Sequence, residues 1–262
     1  MSTGTVDVGT RNEYVQALAR GIEVIRVFDG EYPAMTLSDV ARRAGLTRAA
    51  ARRFLHTFVS LGYVRTDGRL FFLTPRVLEL GFSFLSSLAL PEIVRPHLEQ
   101  LSREVGESVS AALLDGSDIV YIARVHTRRI MSVRITIGTR FPAYVTSLGR
   151  VLLAALPRPE RDALLVATEP RRQFTARTTT ESSALEAELD RVAEQGWALV
   201  DGELELGLRS AAVPVRDKSG AVVAAINIST SAVRDTVEKI VEEYLPALLG
   251  TRDRIEAELR LR

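Results

Sequence analysis

The chain has 262 residues and an almost even charge balance, 34 Lys and Arg against 33 Asp and Glu, for a formal net charge of +1. That length allows one large or two ordinary domains, and an apolar fraction of 46% is enough to build a core in each. The absence of cysteine excludes disulfides, thiolate metal sites and thiol nucleophiles, and no apolar run approaches the roughly 18 residues of a membrane span. The opening MSTGTVDVGTRNEYV lacks an apolar signal core, which predicts a cytoplasmic protein.

Residues 1–12 read as disordered. A helix is predicted over 14–28, with Val15, Leu18, Ala19, Ile22, Ile25 and Val27 as its apolar positions, packed behind the two helices that follow. Those two lie in TLSDVARRAGLTRAAARRFLHTFVSLGYVRTDGRLFFL, residues 36–73. Leu37, Val40, Ala41 and Ala44 fall at helical spacing, with Thr36 or Ser38 as the N-cap and Gly45 as the stop. Thr47 sits where the cap of the next helix belongs. Ala51, Phe54, Leu55, Phe58 and Val59 then form one stripe, so Ala49, Arg52, Arg53 and His56 project from the other side. Thr47 and Arg48 occupy the end that approaches base edges and phosphates first. Gly62 ends this helix, and Arg65 and Arg69 flank an Asp67-Gly68 hairpin turn. Helix, turn, basic helix and hairpin in that order predict a winged helix-turn-helix that binds double-stranded DNA through Thr47, Arg48, Ala49, Arg52, Arg53, His56, Arg65 and Arg69. Residues 11–76 hold eleven arginines against six acids, a net +5, so the remainder carries −4. A basic head on an acidic body is the electrostatic footprint of a DNA-binding module attached to something else.

Pro75 opens a helical connector over 76–88 that is apolar almost all round, and a helix follows from Pro91 to about Val105. From Ser108 the period changes. Strands are predicted over 109–114 and 118–125, joined by Asp115-Gly116, and over 130–137, whose polar side carries Arg134. Residues 138–144 read as a loop, and 147–156 (SLGRVLLAAL) and 159–166 as helices. Thr180 or Ser182 caps a helix reaching Gln195. Strands follow at 197–200, 210–216 and 221–229, and a last helix runs from 232 to about 259 with a break near Pro246 to Gly250. The fold class is α+β: helices flanking a mostly antiparallel sheet.

Catalysis finds little support. There is no Gly-rich phosphate loop, and His56, His97 and His126 have no metal-ligand spacing. Glu203 and Glu205 lack a placed acid-base partner and read as part of a solvated loop. No catalytic residue, metal or cofactor is expected, so a DNA-binding enzyme is the weaker reading.

The segments ALARGIEVIRVF, TLSDVARRAGLTRAAARRFLHTFVSLGYV, TSLGRVLLAAL, and DGELELGLRSAAVPV with AAINIST together resemble the IclR-type transcriptional regulators from about Tyr14 to the C-terminus. The stretch RRIMSVRITIGTRFPAYVTSLGRVLLA is similar to the subgroup controlling aromatic-acid catabolism through the β-ketoadipate pathway. The resemblance implies a winged helix-turn-helix at 13–75, a linker helix at 76–90, and a GAF-like effector-binding and oligomerisation domain at 91–262. It implies a ligand-responsive regulator, and as partners operator DNA, an aromatic or β-keto acid, RNA polymerase and further copies of the chain as dimer or tetramer. Carried onto matching positions, the effector site comprises Ser147, Leu148, Val200, Asp201, Asn227 and Ser229. Asn227 and Leu148 depart from the glyoxylate-responsive pattern, which argues against two-carbon acids. Free N–H groups where the 147–156 helix starts suit a carboxylate, and Arg134 is the expected supplementary cation. A regulator of another carboxylate pathway and an effector domain serving oligomerisation alone are the alternatives.

Overall fold

The computed structural model describes residues 14–81, 90–126 and 135–261. The chain divides into two compact units, residues 1–87 and 88–262.

In the first unit, α1 (Gln16–Arg26) precedes β1 (Ala34–Thr36), α2 (Leu37–Arg43), α3 (Arg48–Ser60), β2 (Val64–Thr66) and β3 (Leu70–Leu73). Thr36 caps α2 by accepting the Asp39 N–H, and Thr47 caps α3 by accepting the Ala50 N–H. Between them Gly45 takes φ +63°, the left-handed turn for which glycine is the least strained residue. Val24, Phe28, Met35, Val40, Leu55, Val64 and Phe71 close a small core. The strands form an antiparallel sheet in the order β1-β3-β2. Strand β1 was not expected. It is three residues long, too short for an alternating pattern, and exists by pairing Met35 with Phe71. Helix α1 also corrects the expectation. It packs on α3 through Gly21 and Val24, while Leu18 and Ile22 are 65% and 50% exposed and Tyr14 and Val15 lie outward with them.

The second unit is built on a six-stranded antiparallel sheet. Its members are β4 (Ser108–Asp115), β5 (Asp118–Val125), β6 (Arg140–Pro142), β7 (Ala198–Asp201), β8 (Leu208–Arg216) and β9 (Val222–Ser231), ordered β6-β5-β4-β9-β8-β7. One face carries α4 (Leu90–Val105) and the C-terminal helix. The other carries α5 (Ser147–Ala154), α6 (Arg158–Ala167) and α7 (Ser182–Gln195). Strand alternation sends Ala211, Val213 and Ile226 to the first face and Ala212 and Ala225 to the second, where alanines let α5 approach closely. No helix among the described residues is long and apolar enough to cross a membrane.

Several expectations change here. Residues 138–144 are not all loop. Arg140–Pro142 pair with β5 as the edge strand β6, a position that tolerates proline. Helix α7 starts at Glu181 without a side-chain cap. Thr180 and Ser182 are engaged elsewhere, because Arg171 donates to the Thr180 carbonyl and the Ser182 hydroxyl. The C-terminal helix, α8, does not break. Val237–Lys239, a π turn at Ile240–Tyr244 and Leu245–Arg260 run on continuously. The wider turn accommodates Pro246, which lacks an N–H and would crowd the carbonyl one turn back. The strand expected over 130–137 falls mostly on residues 127–134, outside the described residues.

Candidate functional site

On α3, Ala51 and Leu55 are fully buried, which turns Arg48, Ala49, Arg52, Arg53 and His56 outward. Thr47, Arg65 and Arg69 are exposed as well. The guanidinium groups of Arg48, Arg52, Arg53 and Arg69 have no ion pair or hydrogen bond among the described residues. Arg26, Arg42, Arg43 and Arg76 on the same unit are paired with Glu23, Asp39, Asp29 and Glu79. Arg65 stacks 4.0 Å above the Phe72 ring. The hairpin tip is rigid by its own chemistry. Asp67 Oδ1 accepts the Arg69 and Leu70 N–H groups at 2.9 and 2.7 Å, and these bonds hold its carboxyl below the ordinary range. A groove of about 480 Å³ between α3 and the wing gathers Arg48, Arg52, His56 and Arg69. Thr47, Ala49, Arg53 and Arg65 lie outside it. The groove also takes in Thr36, Ser38 and Thr66, which the sequence reading did not place in the candidate interface. The first two sit at the α2 N-terminus, a place where N–H groups approach phosphates.

In the second unit, α5 begins over β8. Ser147 Oγ donates to Ser210 Oγ at 2.8 Å, and Thr146 Oγ1 accepts the Gly149 N–H at 3.0 Å. A Cβ at Gly149 would lie 2.1 Å from the Ala143 carbonyl oxygen, so only glycine lets the first turn seat itself. Among the described residues no hydrogen bond engages the Ser147 or Leu148 N–H. Of the two, Ser147 borders a narrow cavity with about 20 Å³ of free space, roughly one water. Its lining brings together Ser147, Val200, Asn227 and Ser229 with Tyr121, Ile135, Val145, Thr146, Leu204, Leu208 and Ser210. The last seven escaped the sequence reading, because β5 and β8 reach the cavity only through sheet pairing. Asn227 Nδ2 donates to Ser229 Oγ at 3.0 Å, and Asn227 Oδ1 is buried without a partner. The Tyr121 phenol has no hydrogen bond among the described residues, and burial pushes it up to about 12. One strand over from Asn227, Ser110 accepts a hydrogen bond from Arg124 at 3.1 Å, a half-buried cation on the cavity side of the sheet.

Two expected effector residues do not line the cavity. The Leu148 side chain is fully buried in the apolar layer under α5, leaving only its amide at the helix start. Asp201 is saturated: Arg209 Nε reaches Oδ1 at 2.8 Å, and Oδ2 takes Arg177 and Arg209 nitrogens at 2.9 and 3.2 Å. Arg134 lies outside the described residues. Glu203, read as solvated, is buried and holds Arg150 at 2.7 Å, while Arg150 Nε donates to the Tyr144 carbonyl. That bond fastens the 202–207 segment, and with it Leu204, over the cavity. Among the described residues no cluster of His, Asp or Glu could hold a metal ion.

Two family models cover the chain: the IclR helix-turn-helix domain over residues 17–68, and the bacterial transcriptional regulator IclR C-terminal domain over residues 82–257. The chain is 42% identical over 239 residues to the Pca regulon regulatory protein of Pseudomonas putida, covering 91% of this chain and 82% of that protein. It is 32% identical over 248 residues to the p-hydroxybenzoate hydroxylase transcriptional activator of Acinetobacter baylyi, covering 93% and 91%. An IclR homolog of Microbacterium hydrocarbonoxydans, solved in complex with 4-hydroxybenzoate, superposes with TM-score 0.82 at 28% identity over 94% of this chain and all of that one.

Proposed function

The chain belongs to the IclR family of bacterial transcriptional regulators, and from that premise we propose that it controls genes of aromatic-acid catabolism in response to a hydroxybenzoate-like acid. It is a ligand-responsive DNA-binding regulator. The observation that carries the reading is the unpartnered arginine face of α3 and the wing. Guanidinium groups that the fold leaves unneutralised are free to replace counterions on a duplex. Arg48, Arg52, Arg53, Arg65 and Arg69 take phosphates or base edges, and Thr47, Ala49 and His56 meet the groove floor. The relatives that regulate aromatic breakdown, and the one solved with 4-hydroxybenzoate, support the pathway. In the larger unit the effector carboxylate sits on the free amides that open α5, where the helix dipole favours an anion. Ser147, Val200, Asn227 and Ser229 surround it. The apolar stripe of Tyr14, Val15, Leu18 and Ile22 supports pairing of two chains on a pseudo-palindromic operator.

The acid acts by binding one arrangement of the regulator better than another. The test is anisotropy of a labelled duplex from upstream of the chain's own gene, with and without 4-hydroxybenzoate and protocatechuate. Operator affinity is expected to change several-fold with one of these acids. Binding indifferent to every acid tried removes the pathway assignment, and no binding to DNA at moderate salt removes the whole reading.

A further inference from the structure

Resting on that effector reading, we infer that Tyr121 and Asn227 are specificity-determining residues that recognise a second, uncharged hydroxyl on the effector. The cavity has two chemically different ends. Helix α5 starts over β8, where Ser147 meets Ser210. Tyr121 stands on β5, three strand spacings away, or about 14 Å between backbones. Between them the walls are Ile135, Val145, Val200 and Leu208, apolar side chains that a flat apolar body would have to spread apart.

An acid seated with its carboxylate on the α5 amides therefore points its opposite end across β9 toward β5. Two polar groups lie along that path, Asn227 on β9 and Tyr121 on β5. Asn227, 3% exposed, commits one Nδ2 hydrogen to Ser229 and leaves Oδ1 as an acceptor with no partner among the described residues. The Tyr121 phenol, held neutral by burial, keeps a proton to donate. Buried polar atoms in native folds are nearly always paired, so two open groups lining one cavity point to a missing partner. The group that answers both is a hydroxyl, which donates once and accepts twice. A second carboxylate only accepts and would set its charge against Oδ1, and the nearby Arg124 guanidinium is already engaged with Ser110 and His126. A bare ring edge would leave both protein groups unpaired. The geometry thus selects a hydroxylated acid over its unsubstituted and dicarboxylate analogues.

The experiment is calorimetry on the full chain with benzoate, 4-hydroxybenzoate and 1,4-benzenedicarboxylate. The native protein, Tyr121→Phe and Asn227→Ala are compared, with thermal melts to verify folding. The native chain is expected to prefer 4-hydroxybenzoate to benzoate by about tenfold or more, and each variant to lose most of that preference. An unchanged ratio in both variants overturns the inference while leaving the effector reading intact. Tighter binding of the dicarboxylate overturns it too, because the amide would then be presenting a donor. If neither acid binds a native chain that still binds DNA, the effector reading fails and takes this inference with it.

Discussion

On the outer side of α3 and along the wing, Arg48, Arg52, Arg53 and Arg69 hold guanidinium groups that meet no carboxylate or carbonyl among the described residues. In the larger unit, Arg150, Arg161, Arg171 and Arg209 are drawn inward, and each donates hydrogen bonds to the fold around it. Arg150 is 3% exposed between Glu203 and the Tyr144 carbonyl, and Arg161 donates to Asp190 at 2.7 Å. Arg171 donates to the Leu165 and Thr180 carbonyls, and Arg209 clasps Asp201 and the Asp235 carbonyl. The same side chain serves as a binding residue where the fold withholds partners and as a rivet where the fold supplies them. Composition cannot separate the two roles, but partner saturation does.

The contrast breaks most visibly at Arg150. Arg150→Met leaves Glu203 buried without its cation and should destabilise the larger unit by about 3–5 kcal/mol, read as a lower urea midpoint. Adding Glu203→Gln should recover part of that loss, since the stranded charge is then gone. On the other side, Arg53→Ala should leave the melting curve in place. Operator affinity should fall by about 1–3 kcal/mol if Arg53 reads a base, or the salt slope by about one if it holds a phosphate. A variant that melts early but binds normally would place Arg53 among the rivets. Thr47→Ala removes the cap of the helix that displays these arginines. A stability loss of about 1 kcal/mol, measured by chemical denaturation, is expected. The smallest effect concerns acid. Asp67 has its folded pKa below the ordinary value near 3.8, so its support of the wing is complete above that value and disappears as pH falls through the lower, folded one. The protection factors of the Arg69 and Leu70 amides should therefore fall on acidification below about pH 4, and Asp67→Ala should abolish that dependence.

What the sequence disclosed follows the range of the interactions. The caps at Thr36 and Thr47, the stripe of α3 and the Asp67-Gly68 turn involve residues a few positions apart, and their patterns are legible along the chain. The cavity is different. Tyr121, Ser210 and Asn227 belong to strands joined only by the register of the sheet, and no local period marks them as neighbours. Glu203 looked solvated because its cation lies 53 positions earlier. Periodicity located the apolar face of α1 but not what covers it, and Leu18 and Ile22 proved to face away from α3.

The narrowness of the cavity beside Ser147 carries a consequence of its own. An aromatic acid needs several times the room of a single water, so admitting one would require lining groups such as Leu204 to move. The free energy of that displacement would come out of the affinity, and a roomier, ready-made slot would grip its acid more tightly.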